Sequence, residues 1–397
     1  MNLYIDKKDS AAAKNVVVDD MILTKDLTTT AGSKMLEGYK SLFAAEVADK
    51  LEGAGYTVTG KANVGELAID LAGETSYFGA TELEGKLTNA ASVIVKNEDV
   101  CGAVVFEVNG ANMRSAALCD LILVKPTYGT VSRFGTIPGA CSGDTVCVMA
   151  KTTGAAHELL DAVAGYDCKD GTMHADEKCA LLKSGAEFAP VKKVAVANSL
   201  CDTADPAKVE AFKTFLAKAG VEAVEVDADI LTSASAAWTA LMCAELCNNV
   251  SRYDGVKYGY RTKNYKNIDE LYTNSRTEAF GMLLKTAILY GSDALSTGNY
   301  EKVYDKGLRV RRVISEYFAS LFAEYDAVLM PVTSKDEYTM ADIEADRYIS
   351  FKENRFTSPA MITGLPAVVV GGVQLVGKAF SENALLDLAE KFEKEGK

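Results

Sequence analysis

Histidine is almost missing from this sequence: the chain has two, His157 and His174, in 397 residues. A Ser/His or Cys/His dyad has little to draw on, and His157 falls in "TTGAAHELLDAV", whose spacing predicts an ordinary amphipathic helix. Basic charge is short as well. Lys and Arg number 42 against 55 Asp and Glu, a formal net charge of −13, so the bulk surface lacks the clustered cations that phosphate contacts need and direct nucleic-acid binding is not expected. The start, "MNLYIDKKDS", lacks the basic-then-apolar pattern of a secretory signal. The longest uncharged stretch, residues 356–377, is punctuated by Pro359, Gly364, Pro366, Gly371 and Gly372, which predicts a helix start, a turn and two short buried strands rather than a membrane span. No paired cysteine framework exists either. Nine scattered cysteines, an odd number, fit reduced thiols in a cytoplasmic protein.

There is no internal repeat, no low-complexity tract and no linker long enough to separate domains, so one continuous unit over 1–397 is expected. Apolar residues Met35, Leu36, Tyr39, Leu42, Phe43 and Val47 recur at helical spacing up to Gly53-Ala54-Gly55, and "YTVTG" follows as a strand. "SVIVK", "AVVFEV" and "LILVK" read as buried strands and residues 152–164 as a helix. "KKVAVAN", a helix over 206–219 and "VEAVEVD" form a further strand, helix, strand unit. Residues 235–325 are mainly helical, "AVLMPVT" and "AVVVGG" return to the sheet, and a last helix covers 383–394. Strands interleaved with helices predict an α/β fold, with one large mixed sheet covered by helices on both faces.

Several motifs suggest chemistry but have plainer readings. "GYTVTGKA" has the spacing of a phosphate loop with Lys61 in place, yet Ala62 stands where magnesium would need a hydroxyl, and the intervening residues favour a strand. Cys243 and Cys247 share a helix face without a second ligand pair, so buried thiols are expected and no metal or organic cofactor is implied. Arg309, Arg311 and Arg312 read as a solvated helix face paired with nearby acids. Cys119 falls at the end of a short helix, where the dipole disfavours a thiolate, and reads as packing.

"FEVNGANMRSAALCD", residues 106–120, is built like a catalytic loop. An apolar strand tightens at Asn109-Gly110 and enters a helix at Ala111, a geometry that aims free backbone N–H groups at one point where an oxyanion can be held. No hydroxyl or thiol sits at that point. The position holds Asn112, whose delocalised amide nitrogen cannot act as a nucleophile, and Ser115 lies about one helical turn on, roughly 5 Å away.

At "VKPTYGTVSRFGTIPGACSGDTVCVMAKTTGAAHELLDAVAGYDCKD", residues 124–170, the sequence resembles the amidase-signature family. "SRYDGVKYGYR", "LSTGNYEKVYDK" and "TSPAMITGLPA" resemble, within it, the glutaminase (A) subunit of the Glu-tRNA(Gln)/Asp-tRNA(Asn) amidotransferase. The likeness runs from about Asp19 to the C-terminus and implies the family's single α/β domain, with residues 1–18 standing for a shortened N-terminal portion. It also implies amide hydrolysis by a Ser, a second Ser in a cis peptide, and a Lys that relays the proton. This sequence departs from that pattern. The Lys position aligns with Asp19, the nucleophile with Asn112 or Ala111, and "TNAASVIVKNEDVCG" offers no Gly-Gly-Ser-Ser run for the bridging Ser. The two charges that would grip an amino acid's ends fall near Thr286 or Ala287 and on Asn354.

No catalytic residue is therefore expected, only a residual cleft of Asp19, Asn109, Gly110, Ala111, Asn112, Arg114, Ser115 and Asn354. The first expectation is a non-hydrolytic relative that plays a structural or regulatory part beside amidotransferase-like B and C subunits. A working glutaminase, supplying ammonia for tRNA-dependent Gln or Asn formation, would need Ser92, Ser115 or Cys101 to meet Lys14, Lys25 or Lys96. A third reading keeps the cleft as a small-molecule site in which Arg114 and Asp19 pair.

Overall fold

Short runs of β-branched residues, fully buried on both sides, build the centre of the molecule. The structure is a computed structural model and describes residues 2–395. In chain order the strands are β1 (Tyr4–Lys7), β2 (Asn15–Asp19), β3 (Thr57–Ala62), β4 (Glu82–Leu83), β5 (Lys86–Leu87), β6 (Gly102–Glu107), β7 (Ile122–Lys125), β8 (Thr145–Ala150), β9 (Lys193–Ala197), β10 (Glu222–Val226), β11 (Ala327–Pro331), β12 (Ala367–Val370) and β13 (Val373–Gly377). Only β4 and β5 stand apart, as a small hairpin. The other strands form one 11-stranded sheet in the order β1-β3-β2-β6-β8-β7-β12-β13-β11-β9-β10. It is mixed: β3, β2 and β6 run parallel, as do β11, β9 and β10, while β6 to β11 are joined by antiparallel pairs through β8, β7, β12 and β13. Helices flank it, as the alternation of elements predicts.

Three local expectations are corrected. "SVIVK" is not a strand but part of the helix Ala90–Asn97, in which residues 90 to 95 are all buried. A short apolar run without polar alternation does not distinguish a buried helix from a buried strand. The helix expected over residues 35–53 is confined to Glu46–Gly53, preceded by a 3-10 turn at Lys34–Leu36. Between them Gly38 takes a positive φ of 72° and Leu42 is 95% exposed, so the helical spacing there is coincidental. Finally, Pro359 does not open a helix; it lies inside Ile349–Thr363. Gln374 of β13 reaches into that turn and donates to the Phe356 carbonyl.

The helix 152–164 appears as Thr153–Val163, capped by the Thr152 hydroxyl, and the helix Pro206–Lys218 is capped by Asp205. Residues 229–252 are long and apolar enough to cross a membrane by length and composition, yet the helix Ala234–Asn249 within them buries Trp238, Leu241, Met242 and Leu246 against neighbouring helices. Cys243 is part of that core. Lys61 is likewise far from a phosphate cradle: it is buried in β3, donates to Thr29 Oγ1 at 3.1 Å and to the Ile22 carbonyl, and lies 3.9 Å from Asp20. Arg309 and Arg312 pair with Asp305 and Glu316 one helical turn away, and Arg311 donates to the Ser142 carbonyl.

The turn that ends β6 depends on Gly110, which adopts φ +82°. A Cβ there would lie 2.2 Å from Thr357 Oγ1. Gly110→Ala should therefore destabilise the protein by about 3 kcal/mol, combining backbone strain with overpacking. Urea unfolding checks this; an unchanged midpoint would show that the turn is not tightly held.

Candidate functional site

The helix Ala111–Leu118 starts from Gly110 directly after β6, as the sequence implies, and its first N–H groups do converge. They are not free. The Glu107 side chain, at the end of β6, turns back and accepts from Gly110 N at 2.6 Å and from Met113 N at 3.0 Å. A carboxylate of the protein's own thus sits on N–H groups of the kind that can hold an anion. Glu107 is fully buried, and burial raises its pKa against the pull of Arg114 and of the two N–H donors.

Beside it runs a chain of buried polar groups. Asn89 Nδ2 donates to Asn112 Oδ1 at 2.8 Å, and Asn112 Nδ2 donates to Asp19 Oδ2 at 3.0 Å and to the Phe106 carbonyl at 3.1 Å. Asp19, at the end of β2, also accepts from Phe106 N at 2.9 Å. Its pKa is pushed up to about 7 by burial, against the two hydrogen bonds; nearby Glu107 raises it further and Lys61 lowers it. The positions expected for the family's Lys and nucleophile, together with a residue just after Leu87, are therefore in direct contact. They carry Asp, Asn and Asn. Among the described residues no peptide bond is cis.

The residues expected to line a cleft are shut inside the protein. Asp19, Asn109, Ala111, Asn112, Arg114, Ser115 and Asn354 are each at most 1% exposed. The expected Arg114–Asp19 pair does not form. Arg114 instead donates to the carbonyls of Leu71, Asp70 and Asn109 at 2.8 to 3.0 Å, and to Thr357 Oγ1 at 3.3 Å. Asn109 donates to the Ile69 carbonyl at 2.7 Å and packs its amide against that of Asn354. Ser115 Oγ accepts from Asn89 N at 2.9 Å. Thr286, where one grip was expected, donates to the Met282 carbonyl and lies beside Ser350 on an outer cavity of about 430 Å³.

Three of the alternative groups are engaged elsewhere. Ser92 donates to Met149 Sδ, Lys96 to the Cys119 carbonyl, and Lys14 lies over the Tyr56 ring. Cys119, touching Thr88 Oγ1 at 3.3 Å, has its thiol pKa raised by burial. Among the described residues no group of three His, Cys, Asp or Glu is arranged to hold a metal ion.

Comparison with known proteins places this geometry in a family. The profile of the Amidase family matches residues 15–83 and 114–386. The chain belongs to the amidase family. The A subunit of glutamyl-tRNA(Gln) amidotransferase from Coxiella burnetii is 33% identical over 95% of this chain and 82% of its own length; that of Agathobacter rectalis is 32% identical over 98% and 81%. A crystal structure of the corresponding Thermotoga maritima protein is similar with a TM-score of 0.81 and 25% identity, covering 99% of this chain and 87% of that one. The internal stretch that the amidase profile leaves unmatched, residues 84–113, contains Asn89, Glu107 and Asn112.

Sequence reasoning missed Asn89 and Glu107. The signal for Asn89 was its place in "TNAAS" just after Leu87, where the bridging hydroxyl was sought; for Glu107 it was an acid ending an apolar strand three residues before Gly110. Asp19→Asn tests the network. Because the folded carboxyl holds its proton more tightly than the usual 3.8, Asp19's contribution is greatest below about pH 4 and falls as pH rises through 7. The amide that replaces it cannot ionise, so the variant's stability relative to the natural protein should rise by up to about 4 kcal/mol between pH 4 and 8, at 1.36 kcal/mol per pKa unit. Chemical denaturation across that range reads the difference; a flat one would mean that Asp19 titrates normally.

Proposed function

We propose that this chain is a non-hydrolytic relative of the A subunit of glutamyl-tRNA(Gln) amidotransferase. In this reading it is one amidase-like unit that works by binding, in a structural or regulatory part beside amidotransferase-like B and C subunits. The observation that carries the reading is the Glu107 carboxylate on the N–H groups of Gly110 and Met113. Acyl transfer develops negative charge on the substrate oxygen, and preorganised N–H donors at that oxygen supply a large share of the catalysis. Here those donors already hold an anion. A second anion at the same point would be repelled.

The changed residues support the same reading. An amide at Asn112 has no proton to lose at neutral pH and no lone pair free for attack. Asp19 is charged opposite to the expected Lys and receives a hydrogen bond from Asn112. The working-glutaminase alternative would need a reactive hydroxyl or thiol elsewhere with a base in reach, and Ser92, Ser115 and Lys96 spend their polar atoms on other partners. The small-molecule alternative loses its support at the core residues, because they are closed to solvent.

The purified chain should release no ammonia from glutamine above the uncatalysed background, alone or with its host's amidotransferase B and C subunits. The Asn112→Ser variant should stay equally silent, because Glu107 still fills the oxyanion position. Both are read by an enzyme-coupled ammonia assay. Release that Ser115→Ala abolishes would overturn the reading and relocate the nucleophile. The binding role is read by affinity capture from the native host, and recovery of no amidotransferase-like protein would remove it.

A further inference from the structure

The strands β11, β9 and β10 run parallel side by side, and the chain leaves two of them in opposite directions. From β9 it passes through the helix Pro206–Lys218 to β10; from β11 it passes through the helix Ile349–Thr363 to β12, beyond β13. Where parallel strands diverge in this way a crevice opens past their carboxyl ends, the common ligand position in α/β sheets. A groove of about 580 Å³ is built from these same two connections. Ser199, Leu200 and Thr203 follow β9, and Tyr348, Phe351, Lys352 and Arg355 belong to the connection that follows β11. The helices Ala234–Asn249 and Met282–Ala294 complete the wall with Thr239 and Tyr290. Its volume is that of a small-molecule site, roughly 300–1,000 Å³.

On a chain of net charge −13, no acidic residue lines this groove. Two cations do. Lys352 is exposed and already paired with Asp346 at 2.5 Å. Arg355 is half-buried, lies over the Phe356 ring at 4.9 Å, and has no ion-pair or hydrogen-bond partner among the described residues. Its Nε is closed to solvent, so the two terminal nitrogens are the accessible ones. They form the fork of donors that grips phosphate or carboxylate oxygens. A half-buried cation without a neighbouring acid is costly until an anion reaches it.

Hydroxyls surround the guanidinium. Ser199, Thr239, Tyr290 and Tyr348 line the groove with hydroxyls that bond to no other described residue, and all four are at least partly exposed, so they are open to a ligand. Hydroxyls donate to phosphate oxygens and exchange bonds with the hydroxyls of a sugar. The rings of Tyr290, Tyr348 and Phe351 supply flat apolar faces of the kind on which a nucleobase stacks. A wall without carboxylates gives a divalent cation nothing to bind.

We propose that the groove beyond the carboxyl ends of β9 and β11 binds a nucleoside monophosphate, with the phosphate on Arg355 and the base against the aromatic rings. Neither Asp19, Asn89, Glu107 nor Asn112 lines it, so the proposal stands apart from the non-hydrolytic reading.

Isothermal titration of the full chain with adenosine and uridine 5′-monophosphates, in sodium chloride at about physiological ionic strength, tests it. One saturable site is expected for at least one of the two, with adenosine, inorganic phosphate and glucose 6-phosphate each binding roughly tenfold more weakly or less. Arg355→Gln should weaken nucleotide binding roughly tenfold. Tyr348→Ala, at an exposed position whose truncation leaves the core alone, should weaken it roughly fivefold or more. Lys257→Gln removes an exposed cation outside the groove and should leave it unchanged. No saturable heat with either nucleotide would overturn the proposal, as would full affinity in both groove variants. An equal loss in Lys257→Gln would reveal only general attraction of anions, and equal affinity for glucose 6-phosphate would show that no base is recognised; either result overturns it too.

Discussion

The carboxylate of Glu107 rests on the first turn of the helix Ala111–Leu118, and the surrounding structure is arranged around that contact. A helix start exposes N–H groups that must be satisfied, and in a buried site water cannot do it. Related geometry in hydrolytic enzymes leaves such donors open for the reaction. Here the strand β6 supplies its own anion, at 2.6 and 3.0 Å. This gives a buried carboxylate that needs compensation, and compensation comes from close range: burial raises the pKa of Glu107, while Arg114 and Lys125 pull it back.

Arg114 then does two jobs. Its charge offsets Glu107, and its guanidinium ties together the carbonyls of Asp70, Leu71 and Asn109 with the hydroxyl of Thr357, joining segments far apart in sequence. The planar fork of donors suits this role in a way an ammonium would not. The amides continue the logic. Each carries a donor and an acceptor, so Asn89, Asn112 and Asp19 can form a directional chain in which donors meet acceptors. Within this chain the two amides keep their protons, and Asp19 is the member that titrates.

Much of the fold was readable because its signals are local. Valine-rich runs marked β6 and β12, Thr152 and Pro206 marked helix starts, and Asn109-Gly110 marked the turn. What stayed hidden was set by tertiary contact. "SVIVK" lies in a helix whose residues 90–95 are all buried, which erases the polar alternation that tells helix from strand, and residues 35–45 lost their helix to a glycine turn despite good spacing. The site was legible in part. Asp19 and Asn112, singled out from the motifs, do lie in contact, since each is a single residue in a recognisable frame. That the Glu107 carboxylate accepts from Gly110 N and Met113 N could not be read, because it depends on a side chain folding back along its own strand. The closure of the supposed cleft was equally invisible, since burial is a property of packing and not of residue type.

The changed positions are coupled, which bears on how the site can change further. Replacing Asn112 alone by a hydroxyl leaves Asn89 or Asp19 without its partner, and one buried unsatisfied polar group costs about 1–3 kcal/mol. Introducing a Lys at position 19 brings a cation against the amide nitrogen of Asn112 and the N–H of Phe106, both donors, in a space closed to solvent. Removing Glu107 frees two helix N–H groups and takes away one of the two buried acids, with Asp70, that face Arg114. Each step towards hydrolysis is thus destabilising unless the others accompany it, against a total stability of about 5–15 kcal/mol for a typical domain. Asn89, Asn112, Asp19, Glu107 and Arg114 are thereby tied to one another, so that a change at one is felt at the others.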